Sequence, residues 1–104
     1  MMQATFSVQD RCVTISLDGI FDLHAYRSFH LVRQRLLAHG DVGAIELDFA
    51  AVTLMDSSAL GMLLELHGDV EERAIPIRIR HCNPFIERTL VYANFNRMFD
   101  ILPD

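Results

Sequence analysis

The sequence predicts an α/β fold: a mixed sheet of four to five strands, order β-β-α-β-α-β-α, with helices mainly on one face. Three observations predict it. Short stretches of period-2 apolar alternation are interleaved with stretches of helical period, which argues for parallel strand pairs joined by right-handed crossovers. The first two strand-like stretches follow one another directly, so the sheet also holds an antiparallel hairpin. The last clear strand alternates Ile75, Ile77 and Ile79 with Arg78 and Arg80, so one of its faces is wet and the helices gather on the other.

The elements follow in order. Thr5 to Val8 and Cys12 to Leu17 read as strands, with Gln9-Asp10-Arg11 as the hairpin connection and Asp18-Gly19 ending the second. Asp22 is an N-cap for a helix running from about Leu23 to His39, where Tyr26, Phe29, Val32 and Leu36 recur at helical spacing and Gly40 supplies the stop. Ala44 to Phe49 is a third strand, and Ala50 to Met55 reads as a connection. A second helix starts near Ser57 and runs to about Arg73. Ile75 to Arg80 is the fourth strand. Asn83 caps a third helix with Pro84 at its first position, extending to about Ala93. Phe95 to Leu102 closes one end of the core.

Bulk properties narrow the function. With 104 residues, one domain over 1–104 is expected. A composition 51% hydrophobic and 22% charged is that of a globular chain. The net charge of −5 and the absence of any lysine disfavour nucleic-acid binding. No apolar run is long enough to span a bilayer, and the N-terminus lacks the basic and apolar regions of a signal peptide. A cytoplasmic protein without a membrane partner is expected, with Cys12 and Cys82 as reduced thiols.

Catalysis finds little support. Ser57 is not in a Gly-x-Ser-x-Gly elbow, and the five histidines show no metal-binding spacing. No glycine-rich phosphate loop is present. No enzyme activity, metal or cofactor is expected.

The informative stretch is Asp56-Ser57-Ser58-Ala59-Leu60-Gly61, where a connection enters a helix. Its plain reading is N-capping. The helix it opens is apolar over more than one face. A helical wheel puts Leu60, Leu63, Leu64, His67 and Val70 on one face, expected to be the core. Ser58, Glu65, Gly68 and Glu72 lie opposite. Ala59, Met62 and Leu66 form a flanking stripe that either widens the core contact or is exposed for a partner.

Leu54-Met55-Asp56-Ser57-Ser58-Ala59-Leu60-Gly61 before an apolar helix resembles the signature of the STAS domain of bacterial anti-sigma factor antagonists (anti-anti-sigma factors), Asp-Ser-Ser/Thr-Gly-Leu-Gly. Gly19-Ile20-Phe21-Asp22 resembles the family's turn after the second strand. Asn83-Pro84, Ala93-Asn94-Phe95 and Met98-Phe99-Asp100-Ile101 resemble its C-terminal third. Ala59 stands where the family has glycine. The resemblance implies a partner-switching module without catalysis of its own. Its unmodified form would bind an anti-sigma factor, a GHKL-type serine kinase, and release that factor's target. Phosphorylation of Ser57 would abolish binding, and a PP2C-type serine phosphatase would restore it. Asp22, Asp56, Ser58 and Ala59 would neighbour the switch, with Ala59, Met62 and Leu66 on the partner surface. The alternative implied by the same fold is a constitutive accessory subunit, for example of a lipid-transport ATPase, with no phospho-switch.

Overall fold

The computed structural model describes residues 2–102 and contains a five-stranded mixed sheet in sequence order β1-β2-β3-β4-β5. The strands are β1 (Gln3–Gln9), β2 (Cys12–Phe21), β3 (Ala44–Met55), β4 (Ile77–Arg80) and β5 (Asp100–Ile101). The helices are α1 (Tyr26–Ala38), α2 (Ser57–Val70) and α3 (Pro84–Tyr92). Among the described residues only the β1–β2 pair is antiparallel. Asp10 and Arg11 make its two-residue turn, both at positive φ, as a primed hairpin turn requires.

The expected alternation decides which face is covered. Val13, Ile15 and Leu17 of β2, Ile45, Leu47 and Phe49 of β3, and Ile77 and Ile79 of β4 are all buried. The residues between them form the open face, where Arg80 Nε donates to Glu46 Oε1 at 2.6 Å. α1 and α2 pack side by side and are clamped by Arg33, the single buried charged side chain among the described residues. Its Nη2 lies 2.7 Å from Asp69 Oδ2 and its Nη1 2.9 Å from Glu65 Oε2. Burial alone would pull the guanidinium pKa down, but the hydrogen bonds and charges of Asp69 and then Glu65 outweigh it, so it stands above the usual arginine value.

Several boundaries differ from the sequence reading (β1 is longer, Gln3–Gln9, and β4 begins at Ile77, after Pro76, rather than at Ile75), and three of the differences have a clear physical cause. β2 does not end at Asp18-Gly19. Gly19 takes φ 112° in a stretch where the β2–β3 register shifts twice, and the strand continues to Phe21. Glycine accommodates that irregularity because it has no Cβ. β3 likewise runs through the expected connection Ala50–Met55, with buried positions now at Phe49, Val52 and Met55 rather than at every second residue. The first helix opens as a 3-10 turn over Leu23–Ala25 and becomes α-helical at Tyr26.

Candidate switch site at the start of α2

β1 pairs with β2 only as far as Asp18, and β4 pairs with β3 only as far as Asp48. Beyond those points β2 and β3 continue together as a two-stranded ribbon ending at the pair Phe21–Met55. Phe21 is fully buried, with its ring centroid 5.2 Å from Phe29 and 6.2 Å from Phe49, so the ribbon's tip is anchored in an aromatic cluster. Both chains then leave the sheet through an aspartate, Asp22 from β2 and Asp56 from β3. The Asp56 N–H donates to the Phe21 carbonyl at 3.3 Å, which fixes the two exits side by side.

Each aspartate caps a helical turn. The His24 N–H donates to Asp22 Oδ1 at 2.9 Å, and the Ser58 N–H donates to Asp56 Oδ1 at 2.9 Å. Both residues are in extended backbone, as an N-cap must be. Ser57 is the first residue of α2 and is exposed; Ser58 is half-buried. The structure therefore brings Asp22, Asp56, Ser57 and Ser58 to one corner.

It does not bring Ala59, Met62 and Leu66 to the surface. Ala59 and Leu66 are fully buried and Met62 is 3% exposed, so the stripe expected as partner-binding is core. α2 is rotated relative to the wheel expectation. Ala59, Met62, Leu63, Leu66 and Val70 face inward, Leu60 and His67 are half-buried, and Leu64 is 45% exposed. The N-terminal half of α2 is apolar on several faces, so periodicity could not choose its phase. Packing chose it: the buried arc is the one that sets Glu65 and Asp69 against Arg33 on α1. Ala59 adds a methyl group to the core, so the departure from the family glycine falls on packing. His67 packs edge-on to Phe99 at 5.7 Å.

Sequence reasoning missed the exposed apolar side chains on the elements that meet at the start of α2. Ile20 and Leu54 are cross-strand neighbours next to the ribbon tip, 41% and 56% exposed. Leu23 directly follows Asp22 and is 67% exposed. Leu64 lies two turns from Ser57, about 10 Å along the helix. The sequence signal was the run Ala50–Met55, too apolar for an ordinary loop and without clean alternation.

Comparison with known proteins identifies the family. Residues 4–103 match the family model described as "Mlab, STAS domain". The chain belongs to the STAS domain family. The match runs inside the domain expected over 1–104; residues 1, 103 and 104 lie outside the described residues. A STAS-domain containing protein of Pseudomonas aeruginosa (strain UCBPP-PA14) is 33% identical over 89 residues, covering 86% of each chain. The STAS fold is also that of an anti-sigma factor antagonist from Mycobacterium paratuberculosis, with TM-score 0.83 at 17% identity, over 100% of this chain and 87% of that one. The phosphorylated form of the Bacillus cell fate determinant SpoIIAA aligns with TM-score 0.71 at 22% identity, covering 95% and 88%. The STAS domain of a SulP transporter from Vibrio cholerae aligns with TM-score 0.69 at 21% identity, covering 88% and 70%.

Among the described residues no helix is long and apolar enough to cross a membrane, and no group of three or more His, Cys, Asp or Glu side chains is placed to hold a metal ion.

Proposed function

We propose that this STAS domain is a cytoplasmic anti-sigma factor antagonist whose partner binding is switched off by phosphorylation of Ser57. One observation carries the reading: an exposed serine opens α2 where β2 and β3 leave the sheet side by side, each through an aspartate cap, and the elements that meet there carry exposed aliphatic side chains.

The chemistry follows from the corner's charge. Phosphorylation adds about −1.5 to −2 charge at neutral pH. A helix N-terminus tolerates an anion, through its unpaired N–H groups and its dipole. Here that terminus is already occupied in part. Asp56 takes the Ser58 N–H through its side chain, and its carbonyl accepts from the Ala59 N–H at 3.1 Å. A phosphate on Ser57 joins Asp56, and Asp22 stands at the adjacent exit. The modified corner carries several negative charges, and the fold has no need to rearrange to accept them.

A partner seated on Ile20, Leu23, Leu54 and Leu64 would have to bury that charge unpaired. Such burial costs several kcal/mol, and every 1.4 kcal/mol is tenfold in affinity. The unmodified hydroxyl asks only for a hydrogen bond. In this reading the domain is a binding module and performs no chemistry. The partner is an anti-sigma factor with GHKL-type serine kinase activity, and a PP2C-type serine phosphatase resets the switch.

The deciding experiment is phosphosite mass spectrometry on the protein from its own host, joined to identification of co-purifying proteins. Phosphate on Ser57 together with a GHKL-type kinase is the expected result. A stable complex with a membrane transporter's subunits and an unmodified Ser57 sinks the switch. That second outcome is the constitutive accessory-subunit reading. Two observations favour keeping it: the matching family model carries the Mlab description, and the same fold serves within the Vibrio cholerae SulP transporter.

A further inference from the structure

The two edges of the sheet differ in how they are protected. β5 is two residues long and begins with Asp100. β1 is seven residues long, Gln3-Ala4-Thr5-Phe6-Ser7-Val8-Gln9, with no charge and no proline, and its outer side pairs with nothing among the described residues. Natural edge strands are usually blunted by charge, proline or shortness, because a bare edge templates pairing with another chain.

The hairpin determines which groups this edge presents. Its two-residue turn makes Gln9–Cys12 the closing hydrogen-bonded pair of the β1–β2 ladder. Alternation then turns the N–H and C=O of Ala4, Phe6 and Val8 outward. The side chains of those same three residues lie on the covered face, opposite Leu17, Ile15 and Val13. Val8 is left 39% exposed.

The sequence of β1 reads almost the same in both directions about Phe6: Gln with Gln, Ala with Val, Thr with Ser. We infer that β1 is an isologous interface at which a second copy of this chain pairs antiparallel, Phe6 opposite Phe6, joining two five-stranded sheets into one of ten. In this register the outward-facing residues exchange hydrogen bonds: Ala4 with Val8 of the second copy, Phe6 with Phe6, Val8 with Ala4. Thr5 stands opposite Ser7 of the second copy on the open face, a favoured cross-strand hydroxyl pair. The apolar members meet on the covered face beneath α1, where Leu31 is exposed. The second copy is favoured over a foreign strand because each position finds its own class of residue across the two-fold axis. Ser57 begins α2 beyond the end of β3, two strands from this edge, so both switch corners remain open in the dimer.

Two features oppose association. Each copy carries a net charge of −5. The Arg35 guanidinium sits 4.5 Å over the Phe6 ring, which brings two arginines toward the axis. Both repulsions are screened as salt shortens the Debye length from about 10 Å at 0.1 M to about 3 Å at 1 M. The dimer therefore tightens with added sodium chloride.

Sedimentation of the full chain from micromolar to millimolar concentration, at low and molar salt, tests this. A monomer–dimer equilibrium that tightens with salt is expected. The pairs Thr5→Lys with Ser7→Lys, and Thr5→Glu with Ser7→Glu, lie on the exposed face and should leave the far-UV CD unchanged. Each pair should weaken self-association at least about tenfold. Mixing the two should restore a heterodimer, because positions 5 and 7 face each other across the axis. Val8→Pro removes an outward N–H without touching the β1–β2 ladder and should weaken the dimer as well. A wild-type chain that stays monomeric throughout overturns the inference. So does a dimer indifferent to both charged pairs or to Val8→Pro, and so does a mixture of the two charged variants that stays monomeric.

Discussion

The two ends of α2 are built for opposite purposes. The C-terminal half is locked: Glu65 and Asp69 hold Arg33 of α1, while Leu66 and Val70 are sealed in the core. The N-terminal end is held in place from below, by buried Ala59, Met62 and Leu63, but its first residue is left open. Chemistry at Ser57 can change the surface without loosening the helix, because the contacts that fix α2 lie beneath the serine and further along the chain. If that division is right, substitutions along α2 should sort into those that damage the fold and those that damage recognition.

The largest effect should come from the residue first expected on the partner surface. Met62→Lys places a charge where the structure has 3% exposure. Lost core packing and a buried ammonium together should cost about 3–5 kcal/mol. In a domain of this size the melting temperature should fall by more than about 10 °C. A variant that melts like wild type and loses only partner binding would return Met62 to the surface and break the comparison at its open end.

Next comes the locked end. Arg33→Met keeps much of the aliphatic stem and removes the clamp. Glu65 is half-exposed and recovers water, so the loss should be modest, about 1–2 kcal/mol in chemical denaturation. Partner affinity, measured well below the new melting point, should stay within about twofold of wild type. A loss of affinity as large as that from a change at Ser57 would mean that the clamp, too, belongs to the recognition surface.

Asp56→Ala removes the side-chain oxygen that satisfies the Ser58 N–H and should cost about 1 kcal/mol. Asp56→Asn keeps the cap and removes only the charge, so its stability should lie within about 0.5 kcal/mol of wild type. The pair separates the aspartate's two duties. The asparagine variant should also be switched off less completely by phosphorylation, since one of the clustered charges is gone. Isothermal titration of the phosphorylated variant against the partner reads this directly.

Much of this division was legible in the sequence, and the reasons for the rest are specific. Strand alternation gave the covered face correctly, because Ile77 and Ile79 alternating with Arg78 and Arg80 have one arrangement only. The two caps were legible as well, since Asp and Ser before an apolar helix are recognisable locally. The ribbon was not: the irregular register around Gly19 destroyed the alternation that marks a strand, and Ala50–Met55 read as a connection. The phase of α2 was not legible either. It depends on Arg33, more than twenty residues upstream of the helix, and a helix apolar on several faces offers no local clue. The rim of the site failed for the first of these reasons, since Ile20 and Leu54 are exposed only because the ribbon outruns its neighbours.

The smallest effect on stability should come from the residue with the largest effect on function. Ser57 is exposed at the first position of α2, where an acidic side chain interacts favourably with the helix dipole. Ser57→Asp should therefore hold the melting temperature or raise it slightly, by no more than about 1 kcal/mol. The same carboxylate, set beside Asp56, should weaken binding of the proposed partner at least about a hundredfold, since the partner must bury an unpaired charge. Ser57→Ala should match wild type in stability and bind the proposed partner constitutively. Thermal melts and titrations on these two variants bear on both ends of the helix at once. If Ser57→Asp destabilised the fold as much as it weakened binding, the serine would be a structural cap. If it bound like wild type, charge would not be the feature that turns the partner away. Loss of binding at undiminished stability is the outcome that a helix locked at one end and open at the other requires.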